Sequence, residues 1–184
     1  MKRILLLRHA KASPGESDTG DFQRPLTEWG QTAAGMVGQY MANRGLIPER
    51  AICSAARRAR ETLDGLWQAW PERPQADWEE TLYGATAATL NQRLTILPET
   101  LASVLVVGHN PGIEELARDL AGGGEPQALA LMRTKYPTAA LAVLDADIDS
   151  WADLRTGVAD LTAFVRPQEA ADEWGNQGPE NGPA

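Results

Sequence analysis

The chain has two histidines, and each stands directly behind a short apolar run: His9 after Ile4-Leu5-Leu6-Leu7-Arg8, His109 after Val104-Leu105-Val106-Val107-Gly108. An imidazole changes charge near neutral pH and serves as nucleophile, acid or base. Arg8 precedes the first one, and its planar fork of donors matches phosphate oxygens while staying charged at any working pH. Asn110-Pro111-Gly112 follows the second and opens a helical pattern, whose first turn offers backbone N–H groups and a positive dipole end to an anion. Either histidine alone reads as a hydrogen-bonded structural residue. The pair, one preceded by an arginine and the other followed by a helix start, reads as a site for an anion such as phosphate.

The two apolar runs are continuous and bounded by polar residues, the pattern of parallel strands covered on both faces. Ala139 to Leu144 is a third such run, Ala51-Ile52-Cys53 a shorter one, and Leu161 to Val165 a last strand. Helical spacing appears between them, first from about Trp29 to Arg44, with Ala33, Met36, Val37, Tyr40 and Met41 on one face and Gly45 as its stop. A second helix begins near Ser54, taken as its N-cap, and carries Ala59, Leu63, Leu66, Trp67 and Trp70 as a core stripe. A third runs from Thr89 to Leu97. The fourth takes Asn110 as N-cap, buries Ile113, Leu116, Ala117, Leu120 and Ala121, and ends at Gly122-Gly123-Gly124. This alternation predicts a three-layer α/β/α sandwich around a mainly parallel sheet, with ligands at the carboxyl ends of its strands. Both histidines fall at that edge.

A length of 184 residues suits one domain. The segment 1–167 is expected to form it, and 168–184, acidic and rich in Gly, Pro, Asn and Gln, reads as a disordered tail. No apolar run approaches the roughly 20 residues of a membrane span. The net charge of -8 disfavours nucleic acid and anionic membrane surfaces as partners. Cys53, the only cysteine, permits no internal disulfide and points to a reducing cytoplasm.

Leu5-Leu6-Leu7-Arg8-His9-Ala10 resembles the R-H-G signature of the histidine phosphatase superfamily, with Ala10 in place of the usual glycine. The similarity is greatest to the SixA-like phosphohistidine phosphatases. It continues through Arg24-Pro25-Leu26-Thr27 with Gly30, through Ser54-Ala55-Ala56-Arg57-Arg58-Ala59 with Thr62, and through Val106-Val107-Gly108-His109-Asn110-Pro111-Gly112. Pro137-Thr138-Ala139-Ala140 and Phe164-Val165-Arg166-Pro167 extend it over nearly the whole chain. Spacing alone leaves Arg57, Arg58 and Arg60 equivalent. The resemblance selects Arg58, and it implies His9 as nucleophile with Arg8, Arg58 and a charged His109 binding the phosphoryl group. It also implies a phosphoglycerate-mutase-like fold, a transient phosphohistidine and no need of a metal or other cofactor. Glu80-Thr81-Leu82-Tyr83-Gly84 is similar to the E-x-x-Y-G segment that supplies a general acid in several branches, which nominates Glu80; a surface carboxylate in the run Asp77 to Glu80 is the competing reading. Lys11 and Arg24 are further candidates to touch substrate.

Other phosphatase chemistries fit less well. A cysteine phosphatase needs Cys-x5-Arg, and from Cys53 that position is Ala59. Asp145-Ala146-Asp147 resembles the motif of Mg²⁺-dependent aspartate phosphatases but falls late in the chain and reads as an acidic turn. The expected substrate is phosphohistidine in a protein, because few residues between Leu82 and Val104 remain to build a lid. A small-molecule phosphomonoesterase and a non-catalytic phosphoprotein-binding module are the alternatives.

Overall fold

The computed structural model describes residues 1–14 and 20–175. Seven strands form one sheet: β1 (Lys2–Arg8), β2 (Arg50–Ser54), β3 (Gln75–Glu79), β4 (Ser103–Gly108), β5 (Ala121–Gly124), β6 (Leu141–Ala146) and β7 (Ala159–Val165), in the order β3-β2-β4-β1-β6-β7-β5. β3, β2, β4 and β1 run parallel, β6 is antiparallel to both β1 and β7, and β5 returns to parallel pairing against β7. The mainly parallel sandwich expected from the apolar runs is what forms.

Alternation along the central strands divides the core. Ile4, Leu6, Ile52, Val104 and Val106 face α3 (Ala87–Thr95), α4 (Gly112–Leu120) and α5 (Pro126–Thr134), whose Leu90, Leu94, Ile113, Leu116 and Met132 are buried there. Leu5, Leu7, Ala51, Cys53, Leu105 and Val107 face α1 (Glu28–Asn43) and α2 (Arg57–Trp67), through Ala33, Val37, Met41, Leu63 and Leu66. Residues i and i+1 of a strand point to opposite faces, so a run buried on both sides must be apolar throughout. Val106 is 2% exposed and Leu5, Leu6 and Val107 0%, and at about 1.5–3 kcal/mol per buried side chain these runs anchor the fold.

Several elements depart from expectation. Residues 168–175, read as the start of a tail, lie in α6 (Pro167–Gly175). Pro167 opens it, Arg166 N–H donates to Glu169 Oε2 at 2.9 Å, and Ala170 is buried among the residues of α1. A polar segment whose described residues bury only Pro167 and Ala170 carries too little apolar pattern to be recognised. The remainder of the expected tail, 176–184, lies outside the described residues. Gly122 to Gly124 do not merely end a helix but form β5, and the acidic stretch before Glu80 contains β3, whose Asp77 and Glu79 pair with Arg50 and Arg93. α5 carries no signal that sequence periodicity picks out. Of the α2 stripe, Trp67 is only partly buried. Among the described residues no helix is long and apolar enough to cross a membrane.

Candidate active site

Parallel pairing places the ends of β1, β4 and β2 at one sheet edge, with Arg8 in register with Gly108 and Cys53 with Val107. The chain leaves β1 with His9 N–H donating to Gly108 O at 3.0 Å. His9 and His109 therefore stand side by side, ring centroids 5.0 Å apart. Arg58, on the first turn of α2, reaches both, its Nε 3.3 Å from His9 Nε2 and its Nη2 3.4 Å from His109 Nδ1. Arg58 is 4% exposed, which separates it from Arg57 and Arg60 on the outer face of the same turn.

Each member is held by its neighbours. His9 Nδ1 lies 2.7 Å from Ala10 O, so Nδ1 carries the proton and Nε2 keeps a lone pair, the one that Arg58 Nε–H now meets. Burial, with the positive charges of Arg58 and Arg8 adding to it, lowers the His9 pKa to about 3. The imidazole is thus neutral, as a nucleophile must be. Ala10 N–H donates to Thr62 Oγ1, and that hydroxyl donates to Arg58 O at 2.6 Å, linking the loop after β1 to α2. Ala10 does not adopt positive φ, which among described non-glycine residues only Ala139 does, so the position accepts a Cβ.

Arg8 donates through Nη1 to Tyr136 O at 2.8 Å, while its buried Nε finds no acceptor among the described residues. An orphaned guanidinium donor is costly unless something fills it, and an anion's oxygen does so. Burial lowers the Arg8 pKa, opposed by the nearby Glu114 carboxylate. The expected N-cap role of Asn110 is not what forms. Pro111 occupies the cap position without a side-chain bond, and Asn110 Nδ2 donates to Glu114 Oε2 at 2.7 Å and to Tyr136 O at 3.2 Å. α4 approaches so closely that a Cβ on Gly112 would lie 2.1 Å from Ala85 O, which explains the glycine after Pro111.

Ser54 does not cap α2, which starts at Arg57 with Ala56 before it. The serine is fully buried at the end of β2, and its Oγ lies 2.8 Å from His109 Nε2. Burial, then the Arg58 charge, lowers the His109 pKa to about 4. The positive charge of the site belongs to the two arginines.

Sequence reasoning missed Asp21 altogether. Its carboxylate accepts from Arg58 Nη2 at 3.0 Å, Tyr83 Oη at 2.5 Å and Arg24 Nε at 2.8 Å, and its carbonyl accepts from Arg58 Nη1 at 2.7 Å. The Tyr83 hydrogen bond, together with Arg24 and Arg58, lowers its pKa to about 2. Nothing in its spacing marks it; only the fold brings it to Arg58. Arg24, held by Asp21 and by Ser13 O, is part of this bracing, and Lys11 is exposed. Glu80 opens a 3-10 turn, exposed, with no hydrogen bond or ion pair to the four residues at the sheet edge. Tyr83, three residues on, does reach the site, its ring edge-on to His109 at 5.4 Å. A cavity of about 580 Å³ between α1 and α2, lined by Gln31, Met36, Glu61 and Asp64 among others, contains none of the four residues, so it is not the seat of this chemistry.

No protein-family profile matches the chain. It is 32% identical over 164 residues to an uncharacterized protein of Mycobacterium tuberculosis, covering 88% of this chain and all of that one. Among solved structures, SixA from Agrobacterium tumefaciens, which bears the name phosphohistidine phosphatase, is 30% identical with a TM-score of 0.77 over 90% of this chain and 98% of its own. A protein of the same name from Nakamurella multipartitia is 29% identical, with a TM-score of 0.73 over 90% of this chain and 96% of its own. With that likeness running the length of the fold, and with Arg8, His9, Arg58 and His109 gathered at one sheet edge, the chain belongs to the SixA-like phosphatases of the histidine phosphatase superfamily.

Proposed function

We propose that this protein removes a phosphoryl group from phosphohistidine in a protein substrate, by way of a covalent phosphohistidine on His9. The observation that carries this reading is the state of His9. A neutral imidazole has its Nδ1 proton committed to Ala10 O and its Nε2 lone pair turned toward the guanidinium that would hold the phosphate.

In the first step Nε2 attacks phosphorus in line, forming an N–P bond as the bond to the leaving nitrogen breaks. The Arg58 Nε–H that rests on Nε2 turns to a phosphoryl oxygen, joined by Arg8 and the second imidazole. These donors are in place before the charge shifts, which is where electrostatic catalysis gains most. Water then attacks the phosphorus, returning His9 to its neutral form and releasing inorganic phosphate. A protonated imidazole departs without a new proton from the enzyme, so the reaction does not depend on Glu80.

A protein-borne substrate is supported by the placement of the segment between Leu82 and Val104. Its α3 buries Leu90 and Leu94 against the sheet face rather than roofing the sheet edge. The intact site argues for turnover over mere phosphoprotein binding. We also assign the protein to a reducing compartment, the cytoplasm, where Cys53, fully buried, stays a thiol. Phosphohistidine protein, aryl phosphate and sugar phosphates compared at equal enzyme concentration test the reading. The highest kcat/KM should fall to the phosphohistidine protein, and preference for a sugar phosphate would overturn the substrate class.

A further inference from the structure

His109 has two possible neutral tautomers, and its surroundings distinguish them. Ser54 Oγ accepts from Ala56 N–H at 3.3 Å and lies 2.8 Å from His109 Nε2, and no other group among the described residues bonds to it. If Nε2 carried the proton, Oγ would receive two donors, and its own proton would have no acceptor in a place that is 0% exposed. A buried donor left unpaired is disfavoured. If Nε2 is instead the acceptor, every hydrogen-bonding position that Ser54 uses is matched. The opposing contact, Arg58 Nη2 to His109 Nδ1, is long at 3.4 Å, and Nη2 already has the Asp21 carboxylate at 3.0 Å.

We propose that Ser54 is a positioning residue: its hydroxyl donates to His109 Nε2 and so makes the neutral imidazole present Nδ1–H, beside the Arg58 guanidinium, as a donor to the phosphoryl group. Two donors facing each other across a gap gain little from one another, and an oxygen between them satisfies both. The inference rests on the phosphatase reading for the identity of that anion. It accounts for a difficulty in the reading, since a second histidine held neutral could not otherwise be relied on to donate. The groups facing His109 are Arg58 from α2, His9 from the end of β1, Tyr83 beyond β3 and Ser54 from β2, with Arg8 and Asp21 acting on it through their charge. The nearest of these charges, Arg58, opposes an imidazolium. A donor that needs no added proton works over a wider pH range than one that does.

The test is imidazole ¹⁵N NMR of the full chain at pH 7 in phosphate-free buffer, with His9→Gln used only to assign the signals. Wild-type His109 should show a protonated Nδ1 and an unprotonated Nε2. Ser54→Ala should move it toward the Nε2–H form and lower kcat/KM on the order of tenfold, with more of the activity regained as pH falls toward that at which His109 takes a second proton. Ser54→Thr, which keeps the hydroxyl, should restore the tautomer. An Nε2–H tautomer in the wild type overturns the proposal whatever the variants do, and so does an unchanged tautomer in Ser54→Ala. Wild-type protein with the expected tautomer and no turnover of any phosphorylated substrate refutes the phosphatase reading instead.

Discussion

The two histidines should make the fold sensitive to acid in a way that can be worked from their surroundings. His9 is held at a pKa of about 3 and His109 at about 4, both chiefly by burial, against an ordinary value of 6.5. Below pH 6.5 the unfolded chain binds protons at both rings while the folded chain does not. Stability contributed by their neutral forms is therefore complete above pH 6.5 and falls as pH drops toward 4 and then 3. Each group costs about 1.4 kcal/mol per pH unit across its window. Between pH 7.5 and pH 5 that is about 2 kcal/mol for each histidine, or about 4 kcal/mol together, a large share of the roughly 5–15 kcal/mol that stabilises a domain. At 9% and 7% exposure neither ring is screened by solvent enough to reduce this greatly. Urea unfolding of the wild type and of the His9→Gln/His109→Gln double variant at the two pH values, in buffer free of phosphate, isolates the term, because carboxylates titrate alike in both. The wild type should lose about 4 kcal/mol more than the double variant. Equal losses would mean that the rings are solvated, and the neutral-nucleophile argument would fall with them.

Further outcomes follow from other residues. Glu80→Gln should leave turnover of phosphohistidine and nitrophenyl phosphate nearly unchanged and slow alkyl phosphomonoesters only if the carboxyl is an acid there, typically by about 10²–10⁴-fold; uniform loss across the three in steady-state assays would make it a structural residue. Gly112→Ala should destabilise the protein by about 1–3 kcal/mol and lower kcat, since its Cβ meets Ala85 O at 2.1 Å and displaces the start of α4 behind His109; an unchanged denaturation midpoint would contradict the packing. EDTA should not change the rate, because Arg8 and Arg58 already supply the positive charge; loss restored by Mg²⁺ would show a metal taking part.

The edge chemistry was legible because strand burial forces unbroken apolar runs, so the polar residues that end β1 and β4 stand out as Arg8-His9 and Gly108-His109. Motif resemblance added Arg58, which spacing could not separate from Arg57 and Arg60 until the fold buried one of them. What escaped the sequence depends on long-range contact. Asp21 lies 37 residues from Arg58, and Ser54 was read as a cap because serine before a helical pattern caps helices more often than it holds a histidine 55 residues away. β5 has only Ala121 and three glycines to show, and the described part of α6 buries Pro167 and Ala170 three residues apart, so neither carries a hydrophobic period. Thr62 and Gly30 carried their meaning in the motif without revealing it. Thr62 binds the backbone of Ala10, and a Cβ on Gly30 would lie 2.2 Å from Lys11 O, against which the start of α1 closes.

The central claim is that His9 takes the phosphoryl group onto its Nε2. Rapid acid-free quenching of the wild type during turnover of a ³²P-labelled phosphohistidine protein tests it most directly, followed by digestion and mapping of the labelled peptide. Label that is stable to alkali, labile to acid and confined to the peptide containing His9, and absent from His9→Ala, is the result this account predicts. Full turnover by His9→Ala, or label that maps to the His109 peptide, would contradict it.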